Sequence, residues 1–246
     1  MGVFRFKQFE IDDTACAMKI GTDGVLVGAW TKMPDDTQVI DVGCGSGLIC
    51  LMLAQRYPQA SITGIEIDND AAEAAERNVE ASPWNDRVRI IAGDALAMAC
   101  SVTISTERPL CIVSNPPFFT ETLRSPQRER ALARHGEGLN PNSLIDLFVS
   151  NQNLHSDASG DSLTFIAPAS SFDEIMFSLS LRRLAAKRIC FVRSTLRKPP
   201  SRVLFEVICD REMAATTERD ELCLRNADGS WSNAYRELTR DYYLSF

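Results

Sequence analysis

The chain has 246 residues, which allows one or two domains, and 45% of them are hydrophobic, enough for a large buried core. No apolar stretch reaches the roughly 18–20 residues that a membrane-spanning helix needs, so we expect no membrane segment. The formal net charge of −7 argues against nucleic-acid binding through overall positive charge, because phosphate binding depends on Lys and Arg. The eight cysteines form no C-x-x-C pair and lie mostly in apolar runs, which indicates a reduced, cytoplasmic protein.

The first 35 residues are predicted to form an extension with a capping helix. Four apolar residues near the start predict a short strand or hairpin: Phe4, Phe6, Phe9 and Ile11. Capping residues in segment 19–23 then predict a helix that continues through Trp30.

Residues 36–210 are predicted to form an α/β core in which strands alternate with helices. The predicted strands are 38–42, 61–67, 87–92, 110–114, 162–168, 187–193 and 202–209. The predicted helices are 23–31, 47–57, 69–82, 142–155 and 171–182. The last two strands are close enough to form a hairpin, which would place one antiparallel strand in an otherwise parallel sheet.

Residues 211–246 are predicted to be a C-terminal addition to that core. They contain an amphipathic pattern that predicts one helix with Tyr235, Leu238, Tyr242 and Tyr243. No repeat and no linker divides the chain, so we expect a single domain over 1–246.

A glycine-rich turn follows the first core strand, with Gly43, Gly45 and Gly47 ahead of a predicted helix. Glycines permit positive φ and allow a ligand to approach the main chain closely. A nicotinamide-binding turn reads G-x-G-x-x-G, but the sixth position is Leu48, which disfavours a nicotinamide oxidoreductase. Asp41 stands two residues ahead of the first glycine.

Acidic residues also follow the next two strands. Glu66 ends the second core strand, where a carboxylate can accept both ribose hydroxyls of an adenosine ligand. Asp94 follows the third strand. Either carboxylate taken alone is more typical of a helix cap or a solvated surface charge than of a ligand-binding residue.

The tetrapeptide Asn115-Pro116-Pro117-Phe118 predicts a stiff corner at the end of the strand 110–114. The Asn115 Oδ1 atom and the Pro116 carbonyl could accept two N–H bonds from a planar amine, and Phe118 could cover its ring. A turn without function remains the alternative for this tetrapeptide alone.

Two basic groups stand out in this acidic chain, and either is also compatible with a solvated face. The first follows the corner and contains Arg124, Arg128, Arg130, Arg134 and His135. The second contains Lys187, Arg188, Arg193, Arg197, Lys198 and Arg202. His135 and His155 have no Cys or acidic partners at metal-ligand spacing, so we expect no metal site.

The turn D-V-G-C-G-S-G-L resembles motif I of the class I S-adenosylmethionine-dependent methyltransferases. That resemblance implies a Rossmann-like fold with helices on both faces of a seven-stranded, mostly parallel sheet with one antiparallel strand. A closer likeness extends over nearly the whole chain, to bacterial tRNA (adenine-N6)-methyltransferases that act on adenine 37 of a valine tRNA. The segments that show this likeness are C-A-M-K-I-G-T-D-G-V-L-V-G-A-W, Ser82-Pro83-Trp84, S-N-P-P-F, Ser125-Pro126-Gln127-Arg128 and the tyrosine-rich C-terminal segment. The family's usual tyrosine after N-P-P is Phe118 here.

The resemblance implies S-adenosylmethionine as the cofactor and assigns roles to individual residues. Its binding residues would be Asp41, Gly43, Gly45, Gly47, Glu66 and Asp94, with Lys19, Thr22 and Asp23 near the methionine end. The residues Asn115, Pro116, Pro117 and Phe118 would hold the target adenine. We further expect Arg124, Arg128 and Arg134 to contact the anticodon stem-loop of tRNA. We expect the protein to bind no membrane and no metal, and to need no obligate protein partner.

Other substrates share the same corner. N-P-P-[FY] also occurs in enzymes that methylate guanine N2 of ribosomal RNA, adenine in DNA, and glutamine amides of release factors. A module that binds the cofactor without catalysis is an alternative of a different class.

Overall fold

The computed structural model describes residues 2–16, 18–98, 107–117, 138–152, 160–210 and 216–245. The strands in these ranges are β1 (Val3–Arg5), β2 (Glu10–Asp12), β3 (Gln38–Val42), β4 (Ser61–Glu66), β5 (Val88–Ala92), β6 (Leu110–Ser114), β7 (Ser162–Pro168), β8 (Leu184–Thr195), β9 (Arg202–Cys209) and β10 (Glu218–Arg225). The helices are α1 (Thr22–Trp30), α2 (Leu48–Arg56), α3 (Asn69–Glu80), α4 (Ala95–Met98), α5 (Pro141–Gln152), α6 (Phe172–Leu181) and α7 (Asn233–Thr239).

The main sheet has the strand order β10-β8-β9-β7-β6-β3-β4-β5. Only β9 runs antiparallel to its neighbours β7 and β8 among the strands described, and every other pair in this sheet is parallel. The mostly parallel sheet with one antiparallel strand is therefore confirmed.

The described part of this sheet has eight strands rather than the expected seven. The additional strand is β10, which pairs in parallel with β8 and forms the edge of the sheet. Its sequence, E-R-D-E-L-C-L-R, begins with four charged residues, and only Leu222 is buried. Such a pattern hides an edge strand from sequence analysis, because one side of the strand stays in solvent.

Hydrophobic residues alternate along the central strands and cover both faces of the sheet. Val39 and Cys111 belong to the cluster formed with α1 and α2, whereas Ile40 and Ile112 belong to the cluster formed with α5 and α6. Successive side chains of a strand point to opposite faces. The helices therefore pack on both faces, as expected.

The N-terminal strands β1 and β2 form the expected hairpin, as a separate two-stranded sheet. The backbone N–H of Lys7 donates to the carbonyl of Tyr242 at 2.8 Å, and the Phe6 ring stacks on Phe9 with centroids 4.6 Å apart. The two terminal segments therefore pack against each other.

Two details of the terminal segments differ from the predictions. Helix α1 begins after Gly21 without a side-chain cap, so the predicted capping residues do not form one there. Helix α7 ends at Thr239, and Tyr242 and Tyr243 lie beyond it rather than within the helix. Their positions are determined by contacts with the hairpin, which a helical period does not reveal.

Candidate active site

Strands β3, β4, β5 and β6 are parallel neighbours, so their carboxyl ends meet at one edge of the sheet. Ligands of open α/β sheets bind at such an edge. The predicted glycine-rich turn, strand-end acids and Asn-Pro-Pro corner all follow these four strands and are brought together here.

The glycine-rich turn between β3 and α2 requires glycine on conformational grounds. Gly43, Gly45 and Gly47 have φ values of 70°, 54° and 80°, in the left-handed region that other residues rarely adopt. A Cβ atom on Gly45 would meet nothing within 4 Å, so the space beside this residue is open. The turn is therefore shaped to let another molecule approach its backbone.

Glu66 at the end of β4 holds this turn. Its Oε2 atom accepts the Gly45 N–H at 2.8 Å, and its Oε1 atom accepts the Asp68 N–H at 3.0 Å. The side chain is 9% exposed. Each carboxylate oxygen can accept a further bond, so Glu66 retains acceptor capacity for hydroxyl groups.

Asp94 follows β5 and is half-buried. Its Oδ1 atom accepts the Leu96 N–H at 2.9 Å at the start of α4. This bond is the local capping contact that the sequence allowed, and the Oδ2 atom makes no hydrogen bond in the described part of the structure.

Asp41 lies fully buried in β3 beneath the turn. Its Oδ2 atom accepts a hydrogen bond from the Cys50 thiol at 3.2 Å, whereas Oδ1 has no partner among the described residues. Burial raises the pKa of Asp41 to about 7, and the negative charge of Glu66 adds to this rise while the Cys50 bond opposes it. Cys50 was not predicted as a site residue, since it lies in an uninterrupted apolar run.

Asn115 follows β6 at the same edge. Its Oδ1 atom is buried and has no hydrogen-bond partner among the described residues. The preceding Ser114 donates from Oγ to the Val42 carbonyl at 2.7 Å, which ties the end of β6 to the end of β3. Pro116 is buried and Pro117 half-buried, and Phe118 lies outside the described residues.

An orphaned buried acceptor costs about 1–3 kcal/mol, so it indicates a donor supplied from elsewhere. Asp41 and Asn115 both present one at this edge. Ser114, which directly precedes the corner and positions it through the bond to Val42, was not singled out from the sequence.

The amino end of α1 lies at the same edge of the sheet, beside Asn115. An ideal Cβ on Gly24 would lie 3.2 Å from Leu48 Cδ2 and 3.8 Å from Asn115 Nδ2. Asp23 pairs through Oδ2 with Arg202 Nε at 2.8 Å, and Thr22 is the first residue of the helix. Lys19, in contrast, donates from Nζ to the carbonyls of Asp13 at 2.5 Å and Thr14 at 3.0 Å.

The predicted RNA-binding residues Arg124, Arg128 and Arg134 lie outside the described residues, as do His135 and His155. Within the described ranges, no three His, Cys, Asp or Glu side chains are grouped to hold a metal ion. No helix in those ranges is long and apolar enough to cross a membrane.

Comparison with known proteins identifies the family. Residues 19–158 match the methyltransferase small domain. A protein of Porphyromonas gingivalis named tRNA1(Val) (adenine(37)-N6)-methyltransferase is 40% identical over 99% of this chain and 95% of its own length. The chain belongs to this family. A relative of the same name from Bacteroides thetaiotaomicron is 36% identical over 98% of this chain and 97% of its own length.

Solved structures agree on the fold. A predicted O-methyltransferase from Agrobacterium tumefaciens matches with a TM-score of 0.63 and 17% identity, over 89% of this chain and 96% of that one. A ribosomal protein L11 methylase from Lactobacillus delbrueckii subsp. bulgaricus matches with a TM-score of 0.53 and 16% identity, over 82% and 84%. The Rossmann-like methyltransferase fold is thereby confirmed.

Proposed function

We propose that the protein transfers a methyl group from S-adenosylmethionine to the N6 amine of adenine 37 in a valine tRNA. The observation that carries this proposal is the buried Oδ1 of Asn115, which has no hydrogen-bond partner among the described residues and lies at the same sheet edge as the glycine-rich turn. Membership of a family whose relatives bear that name supports both the reaction and the substrate. A nicotinamide oxidoreductase has no such support.

The residues at the edge fit the cofactor. Gly43, Gly45 and Gly47 let a ligand approach the backbone, and the oxygens of Glu66 are positioned at the turn to accept ribose hydroxyl protons. We assign the second oxygen of Asp94 to the adenine amine of S-adenosylmethionine. Thr22 and Asp23 are placed near the methionine end of the same cofactor. Bound S-adenosylmethionine supplies a methyl group activated by a positively charged sulfur.

Lys19 is assigned differently. Its ammonium group is held by the carbonyls of Asp13 and Thr14, in the loop that leads into α1. We therefore propose that Lys19 shapes this loop, and through it the start of α1, rather than binding the cofactor through its charge.

Asn115 and Pro116 would orient the target amine. The amine lone pair of adenine is delocalised into its ring, so geometry is the main lever for making it react. When Oδ1 of Asn115 and the Pro116 carbonyl accept its two N–H groups, the lone pair is directed away from them. The proton leaves after transfer, so a strong base is not required at this position.

We propose that Arg124, Arg128 and Arg134 contact the anticodon stem-loop, on the strength of their sequence position after Phe118. An adenine in a single-stranded loop can be splayed into a pocket at lower cost than one in a duplex. A tRNA substrate also agrees with the expected cytoplasmic location, and the packing between both terminal segments supports a single domain.

The test is methyl transfer from radiolabelled S-adenosylmethionine to valine tRNA transcripts. We expect transfer to the natural sequence, with N6-methyladenosine as the product by nucleoside mass spectrometry, and none to a transcript with guanine at position 37. Equal labelling of both transcripts would refute the position. Labelling of ribosomal RNA, DNA or release factor in preference to tRNA would favour the alternative substrates, and cofactor binding without any turnover would favour the non-catalytic module.

A further inference from the structure

The hairpin turn between β8 and β9 carries two cations that have no acidic partner among the residues the structure describes. Arg197 and Lys198 are exposed, and no ion pair in the described part of the chain includes either of them. The rest of the second basic group is neutralised by carboxylates: Lys187 and Arg188 by Glu206, Arg193 by Glu221, and Arg202 by Asp23. Among the described residues, the group therefore divides into four paired cations and two at the turn that have no carboxylate partner.

This turn lies at the same sheet edge as the candidate active site. Strand β8 runs in the same direction as β6 and β3, because β9 is antiparallel to both β8 and β7. The end of β8 and the start of β9 therefore meet at the carboxyl edge, where Asn115 is found. Ser201 extends the hairpin, since its N–H donates to the Val192 carbonyl at 2.9 Å.

The base of the hairpin is connected to the active-site corner. Arg202 pairs with Asp23 at 2.8 Å, and the adjacent Gly24 lies beside Asn115. On the other side, the Ala169 N–H donates to the Ser201 carbonyl at 3.1 Å. Pro199 and Pro200 restrict the backbone of the turn itself. The backbone that carries Arg197 and Lys198 is therefore restrained relative to the corner.

The chemistry of this turn fits phosphate. The whole chain has a formal net charge of −7, and against that background two exposed cations at the edge of a catalytic site form a local positive surface. A local positive surface attracts a polyanion even when the overall charge is negative. An RNA whose target base reaches Asn115 necessarily brings the flanking phosphates to the same edge.

We propose that Arg197 and Lys198 bind backbone phosphates of the substrate RNA beside the target nucleotide. This inference rests on the proposed function and adds a second RNA contact to the one assigned to the segment after Phe118. The contact positions the RNA and carries no sequence information, because phosphate contacts fix register while base edges specify sequence.

The test compares two double variants that change the charge equally. Arg197→Glu/Lys198→Glu reverses the hairpin cations. Lys32→Glu/Arg183→Glu reverses two exposed cations that precede β3 and β8, at the opposite edge of the sheet, and neither has an ion-pair partner among the described contacts. All four side chains are exposed, so both proteins are expected to fold, and an unchanged affinity for S-adenosylmethionine verifies the site in each.

For the hairpin variant we expect the KM for valine tRNA to rise about tenfold or more with little change in kcat. The slope of log affinity against log salt should become shallower by about two units, one for each lost phosphate contact. The control variant should keep the KM within a few-fold and retain the wild-type slope. Binding of a valine tRNA and an unrelated tRNA should weaken by the same factor.

Equal tRNA affinities and equal salt slopes for the two variants would overturn the hairpin contact. If the wild-type protein still methylated tRNA, the proposed function would remain intact. Wild-type protein that neither binds nor methylates tRNA would overturn both. Unaltered tRNA binding together with lost binding to vesicles of phosphatidylglycerol would assign the cations to a membrane surface and also overturn the proposal.

Discussion

Asn115 is the residue on which the proposed chemistry depends most directly. Its Oδ1 atom is buried at the end of β6 with no donor among the described residues, and Ser114 holds the backbone immediately before it. The sequence predicted an amide at a strand end, and the fold places that amide beside the amino end of α1.

Asn115→Ala should lower turnover by about 10²–10³ and leave the affinity for S-adenosylmethionine unchanged, since one preorganised partner of the reacting amine is lost. Single-turnover kinetics measure the first quantity and calorimetry the second. The matched control is Asn85→Ala, at an exposed position before β5 and thus away from the carboxyl edge. Single-turnover rates within a few-fold of wild type would mean that the corner is only structural.

Asp41 should make the free energy of unfolding depend on pH. Burial raises its pKa to about 7 in the folded state, from an unfolded value of about 3.9. Between these values the folded protein holds a proton that the unfolded chain releases, so this contribution to stability falls as the pH rises through the window. One pKa unit corresponds to about 1.4 kcal/mol.

Replacing Asp41 with Asn removes the titration and keeps an oxygen acceptor for the Cys50 thiol. We expect the difference in unfolding free energy between wild type and Asp41→Asn to change by a few kcal/mol between about pH 4 and pH 7. Urea denaturation across that range measures it. A difference that stays constant over the whole range would contradict the raised pKa.

At the scale of elements, α1 and α2 approach each other through Gly28. An ideal Cβ at this position would lie 2.7 Å from the Sδ atom and 3.0 Å from the Cβ atom of Met52, which is fully buried. Close contact between these helices supports both the glycine-rich turn before α2 and the amino end of α1 beside Asn115.

Gly28→Ala should lower the free energy of unfolding by up to about 2 kcal/mol. Alanine favours a helix by about 1 kcal/mol over glycine, but overpacking typically costs about 1–3 kcal/mol, and the Met52 Cβ cannot rotate away. Urea denaturation measures the loss. Met52→Ala relieves the crowding, so the double variant should lose less than the sum of the two single losses. Strict additivity would show that the two positions do not clash.

At the scale of the whole molecule, the C-terminal segment closes onto the core and the N-terminal hairpin. Tyr235 in α7 is fully buried, its ring stacks on Trp231 at 4.5 Å, and its hydroxyl lies 3.1 Å from that of Tyr243. The Tyr242 hydroxyl donates to the Met52 carbonyl at 3.2 Å, which joins this segment to α2.

Tyr235→Ala should therefore reduce the free energy of unfolding of the whole chain, by about 3–5 kcal/mol, while preserving one cooperative transition. Tryptophan fluorescence and circular dichroism should report the same shifted midpoint. Tyr235→Phe removes only the hydroxyl contact and should cost about 1 kcal/mol. Separate transitions for the two probes would argue against a single domain.

The order of elements was predictable because it depends on local patterns. Buried strands such as Leu110–Ser114 appear as short apolar runs, and their alternation with helices indicates a parallel sheet. The hairpin of β8 and β9 was predictable from the short connection between them. Strand β10 was not, since five of its eight residues are charged and its pairing with β8 depends on distant contacts.

The sequence by itself determined the family and the chemistry at the strand ends, because glycines, strand-end acids and the Asn-Pro-Pro corner act through local backbone geometry. Only the tertiary structure decided which of these groups already have partners. It bound both oxygens of Glu66 to backbone amides. Within the described part of the chain, it left Oδ1 of Asn115 without a donor, and it paired Arg202 but not Arg197 with a carboxylate. Those outcomes depend on side chains far apart in the chain, such as Asp23 and Arg202, whose contact exists only once the sheet and α1 have packed.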